Sequence, residues 1–589
     1  MNVVGISAFF HESACCLLHD GRLVAAAEEE RFSRVKHDPR LPVAAFRWCL
    51  RQGGIGLLDV DAVAYYESPV AKLSRQLWAA LPGGAPEDST WLDPEGPERA
   101  IREGLGWEGP LLCFPHHLSH AASAFFFSGF QEAAILTVDG VGEWDTTTYG
   151  RASGMAIDLF ESVAFPHSLG LLYSTFTSYL GFAVNDGESK VMGLAPYGEP
   201  RFRDALLRLV ASGPGGQFRL DPRYFDFVRG RRMYSDDLIA LLGQPPRVRD
   251  AEILPFHQDV ARSLQAVLEE ILLEKVRWLH GRTGLADLCM AGGVALNCVA
   301  NGRIRREGPF RRLFVPPAAG DSGGCLGAAA LAHARLTGER PGEALQQVFL
   351  GPAWSTGEIA GLLAAAGLSA GDFRGREADL LEAVVDRLEA GKVVAWFHGP
   401  LELGPRALGG RCLVADPRDP GMRDRLNRLV KKREAFRPFA PAVLAALAGE
   451  HFDLGHSSPF MLETCRVTSP LDLPAVTHVD GSARPQTIDA SAAPRWAALL
   501  EAFRRRTGCP LLVNTSFNVR GEPIVASPVD ALLCFAATDI DALVLEDFLV
   551  DRALLPTSWA DWIPAWRPPP RSAFSDRRSA VSEDLYTFV

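Results

Sequence analysis

Several things are missing from this chain, and each absence removes a class of answer. No apolar run approaches the roughly 18 to 20 residues that a membrane helix needs. The opening residues lack a basic leader region and are interrupted by His11 and Glu12, so no targeting segment is expected. There is no CxxC pair among the eleven cysteines, and their number is odd. That composition excludes a zinc ribbon and argues for reduced thiols over a disulfide frame. There is no excess of positive charge, since the net charge is −11. A general nucleic-acid binder usually carries a basic face, so no nucleic-acid partner is expected. No Walker A motif occurs, which excludes a P-loop site.

What is present is an ordinary globular composition, 47% hydrophobic and 22% charged, over 589 residues. That length exceeds one ordinary core and predicts two large domains. The reading is a cytoplasmic protein with no membrane partner. An α/β pattern starts at once: strands over 3–7, 14–18 and 22–27, with Asp20-Gly21 as a hairpin turn between the last two. A similar opening recurs at 134–138, Asp139-Gly140 and 146–149, which suggests a duplicated α/β unit. Apolar spacing predicts helices over 120–127, 260–278 and 320–336. A Gly/Pro and Ala/Gly seam precedes a strand at 393–397. The domains are read as 1–355 and 356–589. The proline-bearing tail beyond about 554 reads as irregular.

Three constellations carry chemistry. His116 and His120 are spaced i, i+4, so one helix face presents both, and Pro115 suits the first turn. With Asp139 at a strand end and Asp321 before a helix they form an N2O2 set, suited to iron, zinc or manganese. The second constellation is glycine-rich. Gly140 and Gly142, then Gly187, Glu188, Lys190 and Gly193, then Gly292, Gly293 and Asn297 are expected as three loops offering bare N–H groups and a lysine to a nucleotide. The third lies in the second domain. Arg406 and Arg411 sit in a Gly/Pro-rich turn, Arg437 and Arg484 stand beside prolines, and Ser516 and Asn518 follow an apolar strand. Arginine forks bind phosphate in bidentate fashion, and hydroxyl and amide groups complete an anion cradle.

In these residues the chain resembles the nodulation-type O-carbamoyltransferase family, which includes carbamoyltransferases of tobramycin, cephamycin, novobiocin and geldanamycin biosynthesis. The resemblance runs through Glu28-Glu29-Glu30-Arg31-Phe32-Ser33-Arg34-Val35-Lys36-His37, the His116/His120 pair and Lys190-Val191-Met192-Gly193-Leu194-Ala195-Pro196-Tyr197-Gly198. It continues through Gly404-Pro405-Arg406-Ala407-Leu408-Gly409, Phe436-Arg437-Pro438-Phe439-Ala440-Pro441 and Asn514-Thr515-Ser516-Phe517-Asn518. It implies an N-terminal actin-like ATPase fold with duplicated halves, similar to Kae1, and a C-terminal YrdC-like α/β domain. It further implies that Arg406, Arg437, Arg484, Ser516 and Asn518 bind carbamoyl phosphate and that carbamoyl-adenylate forms from it with ATP and Mg2+. His116, His120, Asp139 and Asp321 are implied to hold a divalent metal, iron ahead of zinc or manganese. His11, as general base, and Lys36 are expected near a hydroxyl-bearing small-molecule acceptor, a natural product or sugar. Other actin-like enzymes (a sugar kinase or threonylcarbamoyl transferase) and a non-catalytic nucleotide-binding protein are the competing readings.

Three motifs depart from the family pattern. Gly399-Pro400-Leu401-Glu402 stands for Gly-Arg-x-Glu, Gly410-Arg411-Cys412 for Asn-Arg-Ser, and His11-Glu12 for His-Asp. An arginine lost beside a phosphate site is expected to lower donor or ATP affinity, or to accompany another donor.

Overall fold

A computed structural model describes residues 1–80, 93–228, 232–428 and 436–556. The tail from 557 and Arg433 to Ala435 lie outside the described residues. The chain forms two compact units. The first contains Met1–Glu29 and His37–Leu345; the second contains Glu30–Lys36 and the described residues between 346 and 556.

The first unit holds two five-stranded sheets. One is made of β1 (Asn2–Ser7), β2 (Ala14–His19), β3 (Arg22–Glu28), β4 (Ala62–Tyr65) and β5 (Leu111–Cys113). Its order is β3-β2-β1-β4-β5. The β2–β3 turn places Asp20 at φ 46° and Gly21 at φ 74°. Two successive left-handed residues suit the twist of a two-residue hairpin. The second sheet uses β6 (Glu132–Val138), β7 (Asp145–Ser153) and β8 (Ala156–Ala164). After a small hairpin, β9 (Val210–Ser212) with β10 (Phe218–Leu220), it is completed by β11 (Asp287–Ala291) and β12 (Arg312–Phe314). Its order is β12-β11-β6-β7-β8. In each half the first three strands run antiparallel, and the next two add in parallel on the other side of the first. The two sheets therefore share one topology, the duplicated pattern of an actin-like fold. The expected Asp139-Gly140 turn is different: β6 and β7 are joined by all of 139–144, because Asp139 and its neighbours are drawn into the site described below.

Parallel strands need crossover segments, and here helices supply them. Two other helices, each following the last strand of one sheet, matter most for the site. The helix His116–Phe125 is buried almost throughout, as is the first part of Gly324–Thr337. They approach so closely that a Cβ on Gly327 would stand 1.8 Å from the Ser119 carbonyl oxygen. Only glycine fits there. The same contact brings the start of the second helix against the first turn of the first.

The second unit is built on an eight-stranded mixed sheet. Its strands are β13 (Gly371–Asp372), β14 (Val394–Phe397), β15 (Arg411–Ala415), β16 (Ala440–Leu444), β19 (Gln486–Ile488), β20 (Leu511–Ser516), β21 (Ala542–Leu545) and β22 (Phe548–Asp551). Between β16 and β19 the short strands β17 (Cys465–Arg466) and β18 (Ser482–Ala483) form a separate ribbon. The sheet order is β13-β22-β21-β14-β15-β20-β16-β19. The central strands are continuous apolar runs, as expected of strands covered on both faces. Helices Glu377–Glu389 and Pro494–Thr507 pack together, and the Trp396 and Trp496 rings stack obliquely in the core at 6.0 Å.

Among the described residues no helix is long and apolar enough to cross a membrane.

Candidate functional site

The helix His116–Phe125 has no side-chain cap from Pro115. Glu143 takes that role: its Oε1 accepts from the His116 backbone N–H at 2.9 Å and from Ser68 N–H at 2.6 Å. Burial pushes the Glu143 carboxyl up, with Glu67 adding to the effect. A carboxylate at a helix N-terminus is favourable, and here it sets the angle at which the helix enters the site.

From that helix His116 and His120 point the same way. Their Nε2 atoms are 3.0 Å apart. Asp139, just past β6, brings Oδ2 to 3.2 Å from His116 Nε2 and 4.0 Å from His120 Nε2. Asp321, at the turn before Gly324–Thr337, brings Oδ1 to 3.6 and 3.5 Å from the same nitrogens. One donor atom from each of the four residues lies within 4.8 Å of all the others. Ligands about 2.1 Å from a shared ion lie roughly 3.0 to 3.4 Å apart in octahedral or tetrahedral geometry, so the spacing fits one cation. The polar inventory agrees. Asp321 Oδ2 is buried without a hydrogen-bond partner among the described residues, beside the facing Nε2 atoms of the two histidines. The surroundings favour positive charge. Burial works against an imidazolium at His116, yet Asp321 and Asp139 raise it to about 10. The same histidines hold Asp139 well below the usual carboxylate range despite its burial.

His117 is turned away, with Nδ1 2.6 Å from Thr137 Oγ1. Burial, with His116 next, pushes it down to about 3, so it stays neutral and structural.

Asp139 also faces a glycine turn. Its Oδ1 accepts from Gly293 N–H at 2.6 Å. Gly292 adopts φ 94°, and a Cβ there would meet the Val138 carbonyl oxygen at 2.3 Å. Gly292 N–H donates to Ala319 at 2.8 Å, two residues before Asp321. The turn is thus tied to both carboxylate-bearing segments. Gly140 has open space around its Cβ position, whereas Gly142 lies against His116 and His117.

The segment after Gly187 departs from the expected loop. Glu188–Leu194 is a helix, followed by a 3-10 turn at Ala195–Tyr197. Its residues are mostly good helix formers, and Gly187 is needed for a close approach to Phe182 and Ala183. Ser174 donates to Glu188 at 2.7 Å, and burial raises the Glu188 carboxyl. Lys190 Nζ pairs with Asp186 at 3.3 Å. Gly193 lies within this helix. Asn297 caps Cys298–Glu307 by accepting from Ala300 N–H at 3.0 Å, and its amide donates to Gln265.

His11 approaches the metal group, with Nε2 3.9 Å from Asp321 Oδ2. Glu12 beside it pairs with His37 Nδ1 at 3.1 Å, and His37 Nε2 lies 3.4 Å from Asp186. Lys36 closes the Glu30–Lys36 segment that packs with the second unit.

In the second unit the register brings the arginine motifs to one sheet end. Ala440 pairs with Asn514 and Ala442 with Gln486. Arg437, ahead of β16, and Arg484, ahead of β19, thus lie at the end where β20 finishes in Ser516. Asn514 Nδ2 donates to the Ala407 carbonyl at 3.1 Å and to Gln486 at 2.7 Å; Gln486 donates to the Leu408 carbonyl at 2.6 Å. These bonds tie the Gly404–Gly410 loop, with Arg406, to the same end. Ser516 Oγ donates to Asn518 Oδ1 at 2.7 Å, and Asn518 donates to the Glu522 carbonyl at 2.7 Å. Ser516 ends the strand instead of following it.

Glu402 organises the loop from beneath. Its Oε1 accepts from the N–H groups of Leu408, Gly410 and Arg411 at 2.7, 2.7 and 3.1 Å. Arg411 is fully buried and donates to the carbonyls of His398, Gly399, Gly410 and Pro352. Its guanidinium lies 3.6 Å above the Phe397 ring centre. Burial lowers it to about 10. Of the two arginines in this turn, Arg411 is therefore spent on the backbone.

Family models match both parts of the chain. The model described as carbamoyltransferase N-terminus covers residues 2–80 and 106–330, and that described as carbamoyltransferase C-terminus covers 385–552. The chain belongs to the carbamoyltransferase family. Its activity class is therefore transfer of a carbamoyl group. This carbamoyltransferase is 43% identical to the uncharacterized protein sll1178 of Synechocystis over 94% of its own chain and 97% of that protein. It is 37% identical to nodulation protein NolNO of Sinorhizobium fredii over 98% of its chain and 84% of that protein. For nodulation protein NolO of Bradyrhizobium diazoefficiens the figures are 39%, 80% and 84%. Among solved structures a ROK hexokinase from Thermus thermophilus is similar at 17% identity, covering 57% of this chain and 100% of that one with a TM-score of 0.27. The shared order of the two sheets, not that likeness, defines the fold.

Sequence reasoning gave no role of their own to Glu143, Glu402 and His37 in this carbamoyltransferase. Glu143 and Glu402 act on backbone N–H groups through turns, and no residue spacing marks such a bond. His37 stood in the motif Glu28 to His37, where a positive φ of 56° was invisible.

Proposed function

We propose that this carbamoyltransferase moves a carbamoyl group from carbamoyl phosphate, through carbamoyl-adenylate made with ATP and Mg2+, to a hydroxyl of a small molecule such as a natural product or sugar. The residues 1–355 carry out the transfer and 356–589 form the adenylate. Arg406, Arg437 and Arg484 hold the phosphate oxygens of carbamoyl phosphate, and Ser516 and Asn518 orient its carbamoyl end. Water cleaves carbamoyl phosphate so that phosphate leaves, and the carbamate oxygen then attacks the α-phosphorus of ATP, forming carbamoyl-adenylate as pyrophosphate leaves. The adenylate then lies against Gly140, Gly142, Gly187, Glu188, Lys190, Gly193, Gly292, Gly293 and Asn297, where a lysine and close backbone approach suit a phosphate. A divalent metal held by His116, His120, Asp139 and Asp321, iron by the family resemblance and compatible with zinc or manganese, supplies Lewis acidity for charge on phosphate and carbonyl oxygens. His11 takes the proton of the acceptor hydroxyl as its oxygen attacks the carbamoyl carbon and AMP departs, with Lys36 close to the acceptor. ATP and carbamoyl phosphate as co-substrates put the reaction in the cytoplasm.

One observation carries the reading: a buried group of two histidines and two aspartates shares Asp139 with a glycine turn, in a chain that the family models match along both parts. The test is exchange of labelled pyrophosphate into ATP by the purified, metal-loaded enzyme. Exchange that requires carbamoyl phosphate and is abolished in Arg437→Ala is the expected result. Exchange without carbamoyl phosphate, or none at all in folded enzyme, sinks the donor assignment.

A further inference from the structure

The short helix Glu30–Ser33 and the residues after it pack with the second unit, not with the strands they follow. Two arginines account for the attachment. Arg31 is 3% exposed; its Nη2 donates to the Gly404 carbonyl at 2.8 Å, across 373 positions of sequence. Its Nη1 pairs with Glu30 at 2.7 Å. Arg34 adopts φ 58° and spreads its fork over two successive carbonyls, Nη1 to Ile524 at 2.7 Å and Nη2 to Pro523 at 3.0 Å. Its Nε stands 3.5 Å from Asp530, the residue that closes the capping box of Pro528–Ala536.

The carbonyls chosen are informative. Gly404 lies two residues before Arg406. Pro523 and Ile524 directly follow Glu522, whose carbonyl holds the Asn518 amide. Both loops contain glycine and proline, and the two arginines add a clamp to the bonds that Glu402, Asn514 and Gln486 make with the first of them. A guanidinium suits the task because its planar fork fixes two acceptors at once, which an ammonium does not.

We propose that Arg31 and Arg34 are positioning residues of the donor site, fixing from the N-terminal segment the two loops that carry Arg406 and Asn518. This rests on the reading that those two residues bind carbamoyl phosphate. Loops that orient a reacting group lose about a hundredfold in efficiency when displaced by about 1 Å. In the full-length enzyme, pyrophosphate exchange is measured against carbamoyl phosphate concentration for wild type, Arg31→Ala and Arg34→Lys. Amide hydrogen exchange is followed over 403–411 and 517–525. The expected result is a rise in KM for carbamoyl phosphate of about 10- to 100-fold, kcat within about threefold, faster exchange in the matching loop, and unchanged bound metal. An unchanged KM in both variants, with normal saturation in wild type, overturns the inference alone. Wild-type exchange indifferent to carbamoyl phosphate overturns the donor reading and this inference with it. If Arg31→Ala does not fold, Arg34→Lys decides by the same measures.

Discussion

In the first unit the four donor side chains stand on or next to regular elements, and His116, His120 and Asp321 are at most 2% exposed. In the second unit the arginines, Ser516 and Asn518 lie on loops or at a strand end and are half-buried. Their placement depends on Glu402, Asn514 and Gln486 gripping backbone. A cation can be caged by packed helices, because its ligands are short and its radius fixed. An anion that must enter and leave needs an open rim, and order then has to come from buried groups beneath it. The histidine–aspartate group is thus fixed by its packed elements, and the arginine-bearing loops by their supports.

That contrast can be broken in order of expected effect. His120→Ala removes one of four ligands. Metal content after dialysis should fall by more than the roughly 10- to 100-fold that loss of an outer partner costs, measured by elemental analysis, with carbamoyl transfer falling in parallel. Full metal retention would end the four-ligand assignment. Glu402→Ala leaves three buried N–H groups without their acceptor and should cost about 3 kcal/mol in urea unfolding, while metal content stays at the wild-type level. Gly292→Ala forces a side chain into φ 94° against the Val138 carbonyl. It should cost about 2 kcal/mol and, unlike Glu402→Ala, weaken metal retention through Asp139. Asn297→Ala should cost about 1 kcal/mol as a lost helix cap; a larger loss of ATP affinity than of stability would give Asn297 a part in nucleotide binding.

The smallest effect concerns pH. Glu546 is buried, which alone would raise its carboxyl, but His398 and the Gly399 N–H hold it below the ordinary value. A depressed carboxylate stabilises the fold above its unfolded pKa and loses that contribution as pH falls through its folded one. Urea midpoints of wild type should therefore drop between about pH 5 and pH 3 more steeply than those of Glu546→Gln. Parallel curves would show that Glu546 contributes nothing to acid sensitivity.

Much of the first unit was readable from the chain. The His116/His120 spacing, the Asp20-Gly21 hairpin and the repeated strand openings are local patterns, and local geometry made them. The Gly187 segment misled because glycine was read as loop, whereas the surrounding residues propagate a helix and the glycine serves a tight contact. Arg411 misled in another way: nothing in a Gly/Pro turn says which of two arginines turns inward, since that depends on the carbonyls of Pro352 and His398 arriving from other parts of the chain.

By itself, then, the sequence determined the four residues of the buried histidine–aspartate group, the family of the chain, and the strands that carry them. These follow from periodicity, turn chemistry and motif order, all of which act over a few residues. Tertiary structure alone decided that Asp139 serves both the histidines and the Gly292 turn, that Glu143 and Glu402 hold the backbone of the two sites, and that Arg31 and Arg34 reach loops hundreds of residues away. Those choices rest on close packing and on hydrogen bonds to backbone groups, and every residue offers the same backbone groups to a reader of sequence.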